Sequence, residues 1–488
     1  GRYLVRNLED GWPRTNHLIA DLTGLAYLGI LFPEFPEAWR WRSVGLSHLW
    51  RELERQVYSD GVSYEASLSY HRLVAEMALS VAALCVLNGI GVPARAQARL
   101  RGMLDVIAVC TQPDGLTPQI GDADDGRLHI LTVHPDRTRI MRDHRHLLAL
   151  GAAVLGHGDI RAGPADSGLR GWISAAGPEW QDALWCFPSG VAPRLRELLA
   201  EAGRADETSL SRGFEQGGLY VLRQRDFHLT VDAGSVGQEG VGGHAHNDTL
   251  SLTLCAYGRT FLIDPGSFLY TSDPAARNAF RSTAYHNVLQ INDEEINRLP
   301  ERELFHLPPD ARVTVHRWLS TPAYDLFDAS HDGYRRLRPA VIHRRRIWFD
   351  RTLDLWLLRE QLLPVDASGA PPDEPVRVTL WFHFAPLPIR LDETRNAAYT
   401  ETDSGPNLMI LPPGEFPLRV ALDEGWYAPR YGVRERVPVV KFTGRVKLPA
   451  DMTLVLYPCQ GQPDRDRAHA AGLAAVANFL RALASPGD

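Results

Sequence analysis

The feature that most limits what this chain can become is a change of hydrophobic period near residue 206. Upstream, apolar residues recur every three or four positions. Leu18, Ile19, Leu22, Leu25, Ala26 and Leu28 form one such stripe, the mark of a helix buried along one side. With Thr15 as its cap, that helix is predicted to run from Asn16 to about Leu31. Others are predicted over 38–57, 70–88 (ended by Gly89), 93–110, 138–156, 166–175 and 191–203. Downstream, short apolar runs punctuated by Gly, Pro and Asp read as strands, the first at 218–224, 227–233, 250–257, 260–264 and 287–292. Eight more follow between 312 and 457, and 465–484 reads as an amphipathic terminal helix. At 488 residues the chain exceeds what one core holds, so it is expected to be an α+β multidomain protein. The expected parts are a helical array or toroid over 1–205, an antiparallel β-sandwich over 206–370, and a C-terminal β region with the last helix over 371–488. Ser368–Asp373 would separate the last two.

Composition removes several function classes. Net charge is -7 with His neutral, so there is no basic footprint for nucleic acid. No stretch reaches the ~18 consecutive apolar residues of a membrane helix. The five cysteines stand apart, without a CxxC pair, and read as buried free thiols. Gly1-Arg2-Tyr3-Leu4 is not a natural start, so the chain reads as clipped, and a signal or further helices upstream stay open. Gly121-Asp122-Ala123-Asp124-Asp125-Gly126 resembles a calcium loop at a glance, but its spacing is not that of an EF-hand.

The chemistry concentrates in Gly242-Gly243-His244-Ala245-His246-Asn247-Asp248 and the run to Asn287. Two His two apart share a face in extended chain. An apolar hairpin follows, with Asp264 at its far end, and His286 arrives soon after. His246, Asp264 and His286 are two imidazoles and a carboxylate, a set that suits Zn²⁺; each is equally a polar residue hydrogen-bonded near a strand end. His244 is left over as an acid/base candidate. In the helical half, Asn16-His17 opens one helix and Tyr70-His71-Arg72 another. Helix N-termini favour anions, and these side chains suit a carboxylate, although a packed Tyr70 fits the same pattern.

Taken together, these segments resemble the heparinase II/III-like polysaccharide lyases. The likeness rests on Thr15-Asn16-His17-Leu18, Ser69-Tyr70-His71-Arg72, Gly243-His244-Ala245-His246, Asp264-Pro265-Gly266 and Arg281-Ser282-Thr283-Ala284-Tyr285-His286-Asn287. The resemblance implies an incomplete (α/α) toroid followed by an antiparallel β-sandwich, and β-elimination on a uronic-acid polysaccharide. It implies Asn16 and His17 as the pair that neutralises the uronate carboxylate. Tyr70 and His244 would be the catalytic acid/base groups, and Tyr270 a second catalytic Tyr. His246, Asp264 and His286 would be zinc ligands. His71, Arg72, Gln119 and Arg281 are the expected substrate contacts. The acidic chain points to an unsulfated uronate polymer, and the substrate class to a bacterial protein that is periplasmic or secreted. The alternatives are a non-catalytic glycan-binding protein on the same fold and a zinc-dependent hydrolase. Oligomeric state is not legible.

Overall fold

The computed structural model describes residues 1–131, 134–155, 172, 175–176, 181–186, 211–365 and 374–484. The chain divides into two compact units. The first is Gly1–Glu207 with Phe214–Gly217 and Val236–Ala245; the second is Thr208–Gly213, Gly218–Ser235 and His246–Asp488. The segment 236–245, expected with the strands, therefore belongs with the helices.

The first unit is helical. Its described helices are α1 (Asn16–Leu31), α2 (Ala38–Gln56), α3 (Leu68–Leu87), α4 (Ala94–Cys110), α5 (Arg137–Arg142), α6 (His146–Leu155) and α7 (Gln181–Cys186). Thr15 caps α1 by accepting from His17 N, and Ser67 caps α3 by accepting from Tyr70 N. The single helix predicted over 138–156 is two, α5 and α6, broken between Asp143 and Arg145. The helices predicted over 166–175 and 191–203 lie largely outside the described residues. α1 and α2 pack backbone to backbone at Gly45, where a Cβ would stand 2.6 Å from Ala26 N. α3 is buried almost all round. It is the one described helix long and apolar enough to cross a membrane, and 78% of that apolar window lies in the interior, as suits the central helix of a helical layer.

The second unit is built from three sheets. β1 (Arg212–Phe214), β2 (Leu219–Gln224), β3 (Phe227–Asp232), β4 (Leu252–Ala256) and β5 (Arg259–Leu262) form a meander. β7 (Val313–Ser320), β8 (Tyr324–His331), β9 (Val341–Asp350), β10 (Leu355–Pro364), β12 (Ile389–Asp392), β13 (Ala397–Thr400), β14 (Pro406–Leu411) and β17 (Ala450–Gln460) form an eight-stranded sheet ordered β12-β13-β14-β17-β10-β9-β8-β7. β6 (Leu289–Ile291), β11 (Val376–His383), β15 (Arg419–Arg430) and β16 (Val433–Val446) form the third, ordered β15-β16-β11-β6. β11 pairs with β6 and β17 with β10, both antiparallel. The strands after 374 thus complete sheets begun before 365, rather than forming the third domain expected. The Ser368–Asp373 separator lies outside the described residues.

Alternation along the strands decides which side chain enters which layer. Trp356 and Leu358 of β10, with Leu454 and Leu456 of β17, face the main core beside Phe227, Phe261, Phe327, Phe349, Phe382 and Phe442. Their neighbours Leu355, Leu357 and Val455 face the other way, where Ala468, Ala475 and Phe479 of helix α8 (Arg465–Ala484) cover them. The eight-stranded sheet is therefore apolar on both faces.

A polar spine crosses this interior. Arg345 and Glu360 are direct cross-strand partners, and Arg345 Nε donates to Glu360 Oε1 at 2.8 Å. His343 Nε2–H donates to Glu360 Oε2 at 2.6 Å, and His343 Nδ1 accepts from His331 Nε2–H at 3.0 Å. Burial alone would push the Glu360 carboxyl up, but Arg345 and His343 outweigh it and hold it at about 2. Arg345 also donates to the carbonyls of Asn287, next to His286, and of Leu250, two residues beyond Asp248.

Candidate functional site

Within the helical unit, Tyr70 projects from the first turn of α3. Its ring stacks on His244, with centroids 3.7 Å apart and planes 18° apart. Tyr70 Oη donates to Asp124 Oδ2 at 3.0 Å, and His244 Nδ1 lies 3.0 Å from Asp122 Oδ2. Two backbone contacts lock this arrangement: Asp122 N donates to the carbonyl of His244 at 3.0 Å, and Ser67 Oγ donates to that of Asp122 at 2.6 Å. Gly121 makes the approach possible. Its φ is +69°, and a Cβ there would lie 2.3 Å from Ala66 O and 2.9 Å from His244 O.

The 236–245 segment is fastened to the same unit by side chains. Gln238 Oε1 accepts from Gly243 N at 2.6 Å, Gln238 Nε2 reaches Glu65 at 3.4 Å, and Glu239 accepts from Trp12 Nε1 at 2.8 Å and Arg55 Nη2 at 2.9 Å. With Nδ1–H donated to Asp122, the His244 ring is held in one tautomer. A phenol and an imidazole in contact, each oriented by its own carboxylate, can pass a proton in either direction. Asp122 and Asp124 were not among the expected site residues. Their signal was the acidic loop 121–126, set aside on calcium spacing.

The other expected residues of this unit are placed differently. Asn16 is buried, but its amide donates to both Glu65 oxygens at 3.2 Å. His17 is 60% exposed and pairs with Glu9 at 2.8 Å, so the structure separates the expected carboxylate-neutralising pair. His71 is turned inward. Its Nε2–H donates to Met103 O at 3.1 Å and its Nδ1 accepts from Ser63 N, and burial pulls its pKa down to about 4. Arg72 is buried between Glu76 (3.1 Å) and the carbonyl of Gly126 (2.6 Å). Both are parts of the helical interior rather than substrate contacts. Gln119 is buried as well.

Within the β unit, His246, Asp248 and His286 are buried and bring one donor atom each to within 4.8 Å of one another. The His246 and His286 ring centroids are 5.3 Å apart. Asp264, expected as the third member, stands behind His286: its Oδ2 accepts from Nδ1–H at 3.1 Å, while its Oδ1 accepts from Gly266 N. Asp248, two residues after His246 and not among the expected ligands, joins the group, and Asp264 stays in contact with it through His286. His286 Nε2 is buried without a hydrogen-bond partner among the described residues. Burial raises Asp248 against the pull of His286 and His246, with Asp264 adding to the rise, and burial and Asp248 raise Asp232 well above the usual carboxylate range. Burial lowers His286, but Asp264 more than reverses it. Three buried carboxylates, two imidazoles and an orphaned ring nitrogen fit a divalent cation, whose charge would replace the protons these groups otherwise retain. The Asp264–His286 bond is the usual support for a liganding imidazole.

Arg281 and Tyr270 also belong to the β unit. Arg281 is fully buried and clamps the 300–306 segment through the carbonyls of Pro300, Glu303 and His306, so it is structural. Tyr270 packs edge-on against Phe305 and Tyr431, with Arg277 over its ring.

Comparison with known proteins agrees across both units. The model of the heparinase II/III N-terminus matches residues 1–139, and that of the heparinase II/III-like C-terminal region matches 206–456. A heparin-sulfate lyase of Pedobacter heparinus is 23% identical over 460 residues, covering 92% of this chain and 58% of the relative. One from Bacteroides stercoris is 24% identical over 343 residues, covering 68% and 42%. The chain thus spans less than two thirds of these relatives. Among solved structures, a heparan sulfate lyase mutant from P. heparinus superimposes with a TM-score of 0.69 at 20% identity, covering 95% of this chain and 62% of that one. A crystal structure of heparinase III gives 0.68 at 19% identity, covering 95% and 64%. The shared fold is an incomplete (α/α) toroid followed by an antiparallel β-sandwich.

Proposed function

The chain belongs to the heparinase II/III-like family, and on that premise we propose that it cleaves an acidic, uronate-containing polysaccharide by β-elimination. The stacked Tyr70–His244 pair, each ring oriented by its own aspartate, carries the reading. Elimination removes the weakly acidic C5 proton beside the uronate carboxylate. The C5 electron pair forms the C4–C5 double bond as the C4–O bond breaks, and the leaving oxygen takes a proton. That sequence needs one group to accept a proton and one to donate it, and Tyr70 and His244 are such a pair. The developing negative charge on the carboxylate needs donors as well. Asn16 would supply them by exchanging a Glu65 oxygen for the substrate; His17, exposed beside Glu9, contributes nothing in this arrangement.

A zinc ion held by His246, Asp248 and His286, with Asp264 behind, would fix the segment that leads to His244 and neutralise the carboxylate cluster. An unsulfated uronate polymer suits the net charge of -7 better than a highly sulfated one. From that substrate class we propose a periplasmic or secreted location in a bacterium.

Ultraviolet absorbance during incubation with heparosan, heparan sulfate and alginate tests the reading, because the new double bond is conjugated to the carboxylate. A rise with one polymer, abolished in Tyr70→Phe and His244→Ala, is the expected result. New reducing ends without absorbance would mean hydrolysis and overturn it.

A further inference from the structure

The hairpin of β15 and β16 carries a cationic feature that the elimination chemistry does not use. Trp426 and Arg436 are direct cross-strand partners, and Arg434 lies two residues along from Arg436, so all three share one face. The guanidinium of Arg436 sits 4.0 Å from the Trp426 ring centroid. That of Arg434 sits 4.2 Å from Trp426 and 4.6 Å from Phe268. Both arginines are exposed. Arg436 meets one carboxylate, Glu424, at 3.7 Å between two well-exposed side chains, a contact that solvent screens. Among the described residues Arg434 makes neither an ion pair nor a hydrogen bond. The aromatic rings pack against both guanidinium groups, and both arginines remain open to solvent. That geometry suits bidentate capture of an oxyanion at little entropic cost.

This face is tied to the segment leaving Asp264. Ala428 N donates to the carbonyl of Pro265 at 2.8 Å, Gly432 N to that of Phe268 at 2.8 Å, and Tyr270 N to Tyr431 Oη at 3.2 Å. The arginines thus ride on the segment that supports the His286 side of the buried cluster.

We propose that Arg434 and Arg436, braced on Trp426 and Phe268, form a binding site for the anionic group of an acidic sugar. The proposal rests on the reading of the substrate as an acidic polysaccharide. The anion is a uronate carboxylate or a sulfate ester, which share the oxyanion geometry the two guanidinium groups recognise.

Titration calorimetry with size-defined heparosan (carboxylate only) and heparan sulfate oligosaccharides, on the full chain and at two salt concentrations, tests it. Arg434→Gln and Arg436→Gln should each weaken binding roughly tenfold, as loss of a charge-assisted hydrogen bond does, and should flatten the salt dependence. Arg377→Gln, which removes an exposed arginine of the same sheet paired with Asp293 at 2.6 Å, should not. Where turnover is measurable, the loss should fall on KM rather than kcat. Weakening with both glycans identifies a carboxylate; weakening with the sulfated one alone identifies a sulfate. Equal affinity in all variants, or no binding of either glycan by the unaltered chain, overturns the site. Binding without ultraviolet-absorbing product would overturn the lyase reading and leave the site standing. Should Arg434→Gln fail to fold, Trp426→Leu removes the brace and keeps both charges, and is expected to weaken binding in the same way.

Discussion

At the scale of single residues, function is decided by which way a side chain is turned. Tyr70, His71 and Arg72 are consecutive in α3, and a helix sends consecutive residues about 100° apart. One therefore reaches His244 while the next two enter the interior. Their residue types were legible and their directions were not, because direction depends on where α3 meets its neighbours. The carboxylates that complete the pair were harder still: Asp122 and His244 are 122 positions apart, and no local pattern links them. Asp122→Asn should replace a carboxylate that only accepts with an amide that also donates, so that the His244 tautomer is no longer fixed. The elimination rate is expected to fall on the order of 10²–10⁴-fold with substrate affinity retained, as initial rates beside calorimetric affinities would show. An unchanged rate would remove Asp122 from the machinery.

The spine of Glu360 gives a second residue-scale expectation. Its carboxyl is held at about 2 in the fold, against 4.5 as its ordinary value. A depressed carboxylate adds stability that is present above its unfolded pKa and disappears as pH falls through the folded one. This contribution should thus be full above about pH 4.5 and vanish toward pH 2. Glu360→Gln, which leaves Arg345 buried without its counter-charge, is expected to cost about 3–5 kcal/mol and to flatten the acid limb of a denaturant-midpoint series. A variant with an unchanged midpoint would mean that the pair is neutral on balance.

At the scale of elements, the period change near 206 correctly announced helices and then antiparallel strands, since period reports which faces are buried. Period is silent on segments without regular structure. The 236–245 segment has only a single 3-10 turn at Gln238–Gly240, and its place with the helices comes from Gln238 and Glu239 reaching Glu65, Trp12 and Arg55. Gly121 is the matching feature on the other side of that contact. Gly121→Ala should combine an unfavourable positive φ with a collision against Ala66 O. A loss of roughly 1–3 kcal/mol is expected, together with a larger proportional loss of turnover, because the loop carries Asp122 and Asp124. Melting and rate measured on one preparation would reveal a purely structural role if activity tracked the folded fraction alone.

At the scale of the whole molecule, the joining of late strands to early ones could not be read from composition. The run Ser368–Asp373 looks like a boundary, yet β11 and β17 enter sheets started by β6 and β10. The metal reading also belongs here, since an ion bound only by the folded chain stabilises all of it. At a hundredfold excess over Kd, zinc should add about 2.7 kcal/mol. His286→Ala should abolish that shift without lowering the metal-free melting temperature by the same amount. Elemental analysis without bound metal, and a melting curve indifferent to zinc and chelator, would remove the site.

The order in which the chain is made adds one more consequence of the two-sided sheet. Trp348, Leu355 and Leu357 belong to strands that leave the ribosome well before the helix that covers them, which contributes Ala468, Ala475 and Phe479. At about 5–20 residues per second, that apolar face waits on the order of ten seconds for its cover. The nascent protein passes through an interval in which its broadest sheet is open on one side, so its yield in a cell should depend on chaperones that shield such surfaces more than its final stability would indicate.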